Sequence, residues 1–150
     1  IMTEHNNIEI LLIEDREEDI DLTLKALKKD NFASKIKVVK DGEKALEFIF
    51  AKGEYSDRDV SDLPKLIILD LKLSKVNGLD ILRKIRLDDR TKLVPVVILT
   101  SSNEENDISE SYELGADGYI VKPMKFDNFI KAVADIGNYW MLTHKPLGCK

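Results

Sequence analysis

Short apolar runs alternate along the chain with segments in which apolar residues recur every three or four positions. The runs predict five β-strands, near Ile8–Glu14, Ile36–Val39, Leu66–Asp70, Val96–Thr100 and Tyr119–Val121. The remaining segments predict five helices, namely Glu17–Lys29, one through Ala45 and Ile49, one through Ile81 and Ile85, Glu105–Leu114, and one through Phe129, Val133, Ile136 and Trp140. Continuous apolar runs of this length are typical of strands buried on both faces of a parallel sheet.

The strict alternation of strands and helices predicts an α/β fold with a doubly wound, five-stranded parallel sheet. We expect the strand order 2-1-3-4-5, with helices on both faces of the sheet. The polar segment Gly53–Pro64 is expected to be a long irregular loop. The helix at Glu105–Leu114 has a thin apolar face made by Ile108 and Tyr112, and a weakly buried helix is a candidate for movement.

One domain accounts for this pattern. The chain has 150 residues, of which 43% are hydrophobic and 34% are charged, as is ordinary for a globular protein. We predict a domain over residues 8–142, with flexible termini at 1–7 and 143–150. The segment after Leu142 is too short to form an output domain.

Charge and cysteine content narrow the functional classes. The net charge of −5, with no clustered basic surface in the sequence, argues against nucleic-acid binding. No apolar stretch approaches the roughly 20 residues of a membrane helix, and the N-terminus lacks the pattern of a secretion signal. Cys149 is the only cysteine, so no internal disulfide can form, which fits a reducing cytoplasm. We therefore predict a cytoplasmic protein that binds neither nucleic acid nor membrane.

Acidic residues follow two of the predicted strands. Glu14 and Asp15 end the first strand, and Asp70 ends the third. These strands are neighbours in the expected order, so the three carboxylates should lie side by side at the carboxyl edge of the sheet. Crowded carboxylates repel one another, and Mg²⁺ would relieve the repulsion and allow one of them to attack a phosphorylated donor. The alternative interpretation is that the strand-end acids serve only as helix N-caps.

A hydroxyl ends the fourth predicted strand and an ammonium follows the fifth. Thr100 ends the fourth strand and Lys122 follows the fifth, with Pro123 directly after it. A hydroxyl and a lysine at this edge could each bind a phosphoryl oxygen. Either residue alone is weak evidence, but the sequence places both at the same edge as the three acids.

These residues belong to motifs that resemble the receiver domains of bacterial two-component response regulators. The resemblance covers about residues 8 to 142 and lies in five spaced motifs: LLIED at 11–15, LIILDLKL at 66–73, Asn77-Gly78, VVILTSS at 96–102 and GADGYIVKP at 115–123. The order and spacing of the five motifs together are far more specific than any one of them.

The resemblance implies a role for each matching residue. Asp70 corresponds to the phosphoacceptor and Lys122 to the lysine that pairs with the phosphoryl group. For the metal, Asp15 corresponds to the direct Mg²⁺ ligand, Glu14 to the acid that reaches the metal through water, and Lys72 to the residue whose backbone carbonyl binds the metal. Thr100 corresponds to the switch hydroxyl and Tyr119 to its aromatic rotamer partner. Ser74 stands where these domains commonly have proline, which predicts a looser loop after Asp70. Ser101 is small, and the side chains of Lys72 and Ser102 flank the expected phosphoryl site.

The resemblance further implies a protein that accepts a phosphoryl group from a sensor histidine kinase and is not an enzyme in the ordinary sense, although it promotes its own phosphorylation and dephosphorylation. The loop Gly53–Pro64 and the ending Asn138–Leu142 are similar to those of stand-alone regulators, such as the cyanobacterial phytochrome regulators, that are paired with phytochrome-like or hybrid kinases. The switched surface would bind an unknown downstream protein, or a second copy to form a homodimer through the final helices.

Three other readings compete with this one. A phosphatase of the haloacid dehalogenase type needs a second aspartate two residues after the nucleophile, where this chain has Lys72. A flavin-binding module needs a loop after the first strand that cradles phosphate, and the acidic residues Glu14, Asp15 and Glu17 have the wrong charge for that. A receiver-like module that binds partners and is never phosphorylated would not need the full set of site residues.

Overall fold

The structure is a computed structural model that describes residues 8–29 and 35–122. The strands are β1 (Ile10–Ile13), β2 (Ile36–Val39), β3 (Leu66–Leu69), β4 (Val96–Thr100) and β5 (Gly118–Val121). The helices of these residues are α1 (Glu17–Lys29), α2 (Gly42–Phe50), α3 (Gly78–Leu87) and α4 (Glu105–Glu113), with a 3₁₀ turn at Gly53–Tyr55. Strands and helices alternate along the chain, as the sequence predicts.

All five strands form one parallel sheet in the order β2-β1-β3-β4-β5. The predicted α/β architecture and strand order are therefore confirmed. Strand β1 pairs with both β2 and β3, so that Ile13 lies opposite Val39 on one side and Leu69 on the other. Consecutive strands are joined through helices because parallel neighbours cannot be connected by a tight turn.

Both faces of the sheet are buried, which explains the continuous apolar runs. Leu11 and Ile13 face the side that carries α2 and α3, where they pack in one core cluster with residues such as Ile81. Ile10 and Leu12 face the opposite side and pack with residues of α1 such as Leu27. Successive side chains of a strand point to opposite faces, so the central strands β1 and β3 are apolar and buried throughout, whereas the edge strand β2 is only partly buried and contains Lys37.

The structure differs from the sequence predictions in detail. Strand β1 begins at Ile10 rather than Ile8. The segment Gly53–Pro64 contains the 3₁₀ turn, because Tyr55 packs edge-on against Phe48 at 5.1 Å and Arg58 stacks on the same ring at 4.0 Å. These aromatic contacts anchor a segment that composition alone predicts to be irregular.

Several predictions fall outside the described residues. They concern the fifth helix through Phe129 and Trp140, the two termini and Cys149. Within the described part, α4 has the thin apolar face that was predicted: Ser111 is its one buried residue, and Tyr112 is half exposed. Among the helices of residues 8–29 and 35–122, none has the combination of length and apolar character that crossing a membrane requires.

The loop between β3 and α3 folds tightly against the end of its own strand. Asn77 caps α3, because its side-chain oxygen accepts a hydrogen bond of 2.8 Å from the backbone N–H of Leu79. Gly78 begins the helix at a point where an added Cβ would lie 2.5 Å from the backbone oxygen of Asp70. A glycine is therefore required for the backbone to pass this close to the strand end.

At the end of the sheet where β4 and β5 begin, Arg86 joins α3 to two loops. Its guanidinium donates hydrogen bonds of 2.9 and 3.0 Å to the carbonyl of Gly115, which has a φ of +100°, and one of 2.7 Å to the carbonyl of Val94. It also forms an ion pair of 3.1 Å with Asp117, whose carboxylate accepts from the backbone N–H of Val96. This network fixes the C-terminal end of α4 relative to α3 and β4.

Candidate functional site

The three acids that the sequence predicts at one edge lie together, and two of them, Glu14 and Asp70, are placed by backbone hydrogen bonds that continue the sheet past the strands. Backbone N–H of Glu14 donates to the carbonyl of Val39 at 3.1 Å, and backbone N–H of Asp70 donates to the carbonyl of Ile13 at 3.0 Å. Glu14 and Asp70 are thereby held at the carboxyl edge of adjacent strands. Carboxylate oxygens of Glu14, Asp15 and Asp70 all lie within 4.8 Å of one another.

The three acids differ in exposure and in their local partners. Glu14 is 1% exposed and Asp70 is 4% exposed, whereas Asp15 is half-buried. One oxygen of Asp70 accepts from the backbone N–H of Lys72 at 3.1 Å, and Asp15 accepts from the hydroxyl of Ser74 at 3.3 Å. The reading of Asp70 as a helix N-cap is wrong, because α3 begins at Gly78 and Asn77 is its cap.

The ammonium of Lys122 lies among these carboxylates. Its backbone follows β5 and donates to the carbonyl of Thr100 at 2.6 Å, and the residue is 6% exposed. Nζ is 2.8 Å from Glu14 Oε1, 3.4 Å from Asp70 Oδ2 and 2.7 Å from Asp19 Oδ2. The ammonium of Lys122 is therefore shared by three carboxylates, and Asp15 is a fourth acid beside them.

Burial and the neighbouring charges perturb the ionisation of Glu14 and Lys122. Burial raises the pKa of Glu14 from 4.5 to about 7; the hydrogen bond from Lys122 opposes this rise, and the nearby charge of Asp70 adds to it. Burial acts to lower the pKa of Lys122, but its hydrogen bonds to Asp19 and Glu14 outweigh that effect and raise it. The lysine is thus held protonated, and a further cation at this edge would favour ionised Glu14.

A second group of side chains lies beside the acids, at the end of β4. Thr100 is fully buried, and its hydroxyl oxygen accepts a long hydrogen bond of 3.5 Å from the backbone N–H of Ser102. The hydroxyl of Tyr119 donates to the carbonyl of Ser102 at 2.9 Å, and the Ser102 hydroxyl donates to Asp107 at 2.5 Å. The pKa of Tyr119 is raised by burial, and the charges of Asp107 and Asp70 contribute.

The structure therefore brings the predicted residues into two adjoining groups. Glu14, Asp15, Asp70 and Lys122 are in one; Thr100 and Tyr119 are in the other, where Ser102 joins them. Lys72 reaches the first group through its backbone N–H, while its side chain is exposed. The metal-binding role expected for its carbonyl stays a prediction.

Sequence reasoning did not find the contributions of Asp19 and Asp107. Asp19 lies in the first turn of α1 and Asp107 in the first turn of α4, where acidic residues are common simply because they favour helix N-termini. One signal was available for Asp19: it lies four residues before Thr23 and seven before Ala26, both of which are buried, and these spacings place it on the inward side of the helix.

The arrangement is suited to reactions of an anionic, oxygen-rich group. A nearly buried carboxylate at a strand end is a potential nucleophile. The neighbouring acids supply the hard oxygen ligands that Mg²⁺ and similar cations prefer, and the lysine supplies a fixed positive charge. The same edge presents no buried histidine or cysteine among the described residues.

Comparison with known proteins agrees with the motifs and the geometry. The model of the response regulator receiver domain matches residues 10–134. The chain is 36% identical over 134 residues to the response regulator Rcp1 of Synechocystis sp., and the aligned residues cover 89% of each protein. It is also 31% identical over 132 residues to the probable methanogenesis regulatory protein FilR2 of Methanothrix harundinacea, which covers 88% of this chain and 83% of FilR2.

Solved structures give the same result. The phosphorylated cyanobacterial phytochrome response regulator RcpA superposes with a TM-score of 0.82 at 34% identity and covers 91% of this chain and 95% of its own. The Mn²⁺-bound form of Rcp1 has the same TM-score and identity, with coverage of 91% and 96%. Fold, motifs and relatives agree, and the chain belongs to the response regulator receiver domain family of two-component signalling proteins, with similarity to the cyanobacterial phytochrome response regulators.

Proposed function

We propose that this protein is a phosphorylation-dependent switch that accepts a phosphoryl group on Asp70. The observation that carries the proposal is the position of the Asp70 carboxylate. It is 4% exposed, lies at the end of a central strand and is within 4.8 Å of the carboxylates of Glu14 and Asp15. The ammonium of Lys122 lies 3.4 Å from its Oδ2.

In the proposed reaction, an oxygen of Asp70 bonds to phosphorus while the bond from phosphorus to a histidine nitrogen of the kinase breaks. The histidine keeps the electron pair of that bond and takes up a proton, and Asp70 becomes an acyl phosphate. Because the carboxylate is held by the backbone N–H of Lys72, it is oriented before the donor arrives, which reduces the entropic cost of the transfer.

Mg²⁺ is the cofactor that we propose, with Asp15 and Asp70 as direct ligands, Glu14 acting through water and Lys72 offering its backbone carbonyl. The donor set fits the ion, because three carboxylates converge and burial raises the pKa of Glu14 to about 7. When bound, Mg²⁺ supplies neutralisation of the negative charge on the transferring group. The Mn²⁺-bound form of Rcp1 supports a divalent cation as the cofactor.

The proposed switch uses the group around Ser102. We propose that Thr100 binds a phosphoryl oxygen, that Lys122 pairs with another, and that Tyr119 takes the inward position. Tyr119 already donates to the carbonyl of Ser102, and that carbonyl lies in the loop that leads into α4. A shift of Thr100 would thus be transmitted to α4, which has a single buried residue in the helix and can change position at little cost.

For partners we propose a sensor histidine kinase, phytochrome-like or hybrid, and an unidentified downstream protein or a second copy of this chain. The similarity to Rcp1 and to RcpA, a cyanobacterial phytochrome response regulator, supports the choice of kinase. The single cysteine supports the proposal that the exchange takes place in the reducing cytoplasm.

The test is intact mass after incubation with acetyl phosphate, and separately with an autophosphorylated phytochrome-like kinase, each with and without Mg²⁺. We expect the wild type to gain one phosphoryl group only with Mg²⁺ and Asp70→Asn to gain none. Asp89→Asn is the matched control, because this side chain is 90% exposed, and it should react like the wild type. If neither donor phosphorylates the wild type, the chain is a receiver-like binding module instead.

A further inference from the structure

The ammonium of Lys122 has a partner that does not belong to the strand-end acids. Its shortest contact is to Asp19 Oδ2 at 2.7 Å, followed by Glu14 Oε1 at 2.8 Å and Asp70 Oδ2 at 3.4 Å. An ammonium has three N–H donors, and two of them are engaged by Asp19 and Glu14 at normal hydrogen-bond lengths. The contact with Asp70 is the longest of the three.

Asp19 is held in this position by α1. It lies in the first turn of the helix, and its backbone carbonyl accepts a 2.8 Å hydrogen bond from the hydroxyl of Thr23, which is fully buried. Its carboxylate is also 3.3 Å from Nε of Arg16, and the side chain of Arg16 is 65% exposed. Asp19 therefore bridges a buried cation and an exposed one.

We infer that Asp19 is a positioning residue that holds Lys122 back from Asp70 and thereby restrains phosphorylation. The inference rests on the proposed function of Asp70. A phosphoryl group brings between one and two negative charges and three acceptor oxygens. Lys122 is the only buried cationic side chain in the part of the chain that the structure describes, so it is the group that must turn toward the phosphoryl oxygens.

The restraint follows from competition for one ammonium. To donate to a phosphoryl oxygen beside Asp70, Lys122 has to lengthen or break its bond to Asp19. Charge-assisted hydrogen bonds are stronger than neutral ones, so this exchange opposes the gain from the new contact. Arg16 stays beside Asp19 during the exchange, and the carboxylate is then not left without a cation.

Asp19→Asn tests the inference. Asparagine keeps the size of the side chain and an acceptor oxygen but removes the charge, so the bond to Lys122 weakens. With acetyl phosphate as donor, the Asp70–phosphorus bond forms as the bond to the acetate oxygen breaks and acetate leaves. Followed by intact mass in Mg²⁺, this reaction should be about threefold to tenfold faster in Asp19→Asn than in the wild type.

Glu18→Gln is the matched control, because it removes a negative charge from the same helical turn. Glu18 is 81% exposed and pairs with Arg16 at 3.2 Å, without contact to the buried lysine. Its rate should stay within about twofold of the wild type, since exposed pairs contribute little. The comparison separates a specific bond to Lys122 from a general reduction of negative charge near the site.

A second pair of variants tests whether Asp19 acts through Lys122. In the Lys122→Ala background, Asp19→Asn should leave the phosphorylation rate unchanged, because the ammonium that it restrains is absent. An equal acceleration in both backgrounds would overturn the inference, since Asp19 would then act without the lysine. Denaturation curves of all variants show whether a change in rate is only a loss of folded protein.

Two further outcomes distinguish failure of the inference from failure of the proposed function. A rate in Asp19→Asn that equals or falls below that of Glu18→Gln overturns the inference and leaves the proposed function standing. A wild type that gains no phosphoryl group from acetyl phosphate or the kinase overturns the proposed function, and the inference fails with it.

Discussion

Replacing Glu14 by glutamine should stabilise the metal-free protein at neutral and alkaline pH and change its stability little in acid. Glu14 is 1% exposed, and burial raises its pKa from 4.5 to about 7, with the nearby charge of Asp70 contributing to the rise. The folded state therefore binds a proton at this position more tightly than the unfolded chain does. Glutamine has a similar shape and carries no charge, so it removes this dependence.

The direction follows from proton linkage. A carboxyl group whose pKa is higher in the folded state contributes its full stability below the unfolded value, here 4.5, and loses it as the pH rises through about 7. A tenfold change in proton affinity is worth about 1.4 kcal/mol. The loss for Glu14 between these pH values is therefore about 3 kcal/mol, a large part of the stability of an ordinary domain.

The assay is denaturant unfolding over pH 4.5 to 8 in the presence of a chelator. Glu14→Gln should match the wild type near the acid end and exceed it by about 3 kcal/mol near the alkaline end. Glu18→Gln, in which the altered side chain is 81% exposed, should follow the wild type throughout. Added Mg²⁺ should reduce the difference, because a bound cation favours the ionised form of Glu14.

Parallel pH profiles for the wild type and Glu14→Gln in chelator would refute the reasoning. That result would mean that the hydrogen bond from Lys122 at 2.8 Å fully offsets the cost of burying the carboxylate. A difference that grows toward acid would refute it as well, because the sign would be that of a carboxylate stabilised in its ionised form.

Three further predictions concern the frame of the site and use thermal or denaturant unfolding. Gly78→Ala should cost about 2 kcal/mol or more of stability, because the new Cβ would lie 2.5 Å from a backbone oxygen. Gly118→Ala should change stability by less than about 0.5 kcal/mol, because the atom nearest to its new Cβ is a side-chain atom at 3.6 Å. Similar losses in both variants would contradict the contact argument. Ile85→Ala should cost about 2–5 kcal/mol because the side chain is fully buried, and Leu93→Ala should cost little because Leu93 is 85% exposed. Asn77→Ala should lose about 1 kcal/mol with its N-cap, and Asn77→Asp should retain most of it; equal losses would show that the cap bond is not the cause.

The acid edge could be predicted from the sequence because parallel strands share one direction. Once Glu14 and Asp70 follow two neighbouring apolar runs, the pairing of β1 with β3 brings them together whatever the loops do. The same rule placed Thr100 at the end of β4. These predictions depend on strand ends, which apolar runs mark well.

The partners of Lys122 could not be predicted in this way. A lysine side chain is long and flexible, and its end point depends on which helix turn lies beside it. That turn is the start of α1, and only the rotation of the helix decides that Asp19 rather than Glu18 reaches the ammonium. Similarly, the bond between Ser102 and Asp107 depends on the path of the loop into α4, and loop paths follow from tertiary contacts rather than from periodicity.

The attachment of α4 differs at its two ends, which determines how the helix can move. Its C-terminal end is tied to α3 and β4 through the hydrogen bonds of Arg86 to Gly115 and its ion pair with Asp117, whereas near its N-terminal end the Ser102 hydroxyl bonds to Asp107. We therefore expect α4 to pivot about its C-terminal end, near Arg86. Nine residues of α-helix span about 13 Å, so a rotation of only about 10° about the C-terminal end displaces the N-terminal end by about 2 Å. A movement that begins beside the acid edge therefore displaces the N-terminal part of α4 most and decreases toward its C-terminal end, where the contacts of Arg86 with Gly115 and Asp117 hold the helix.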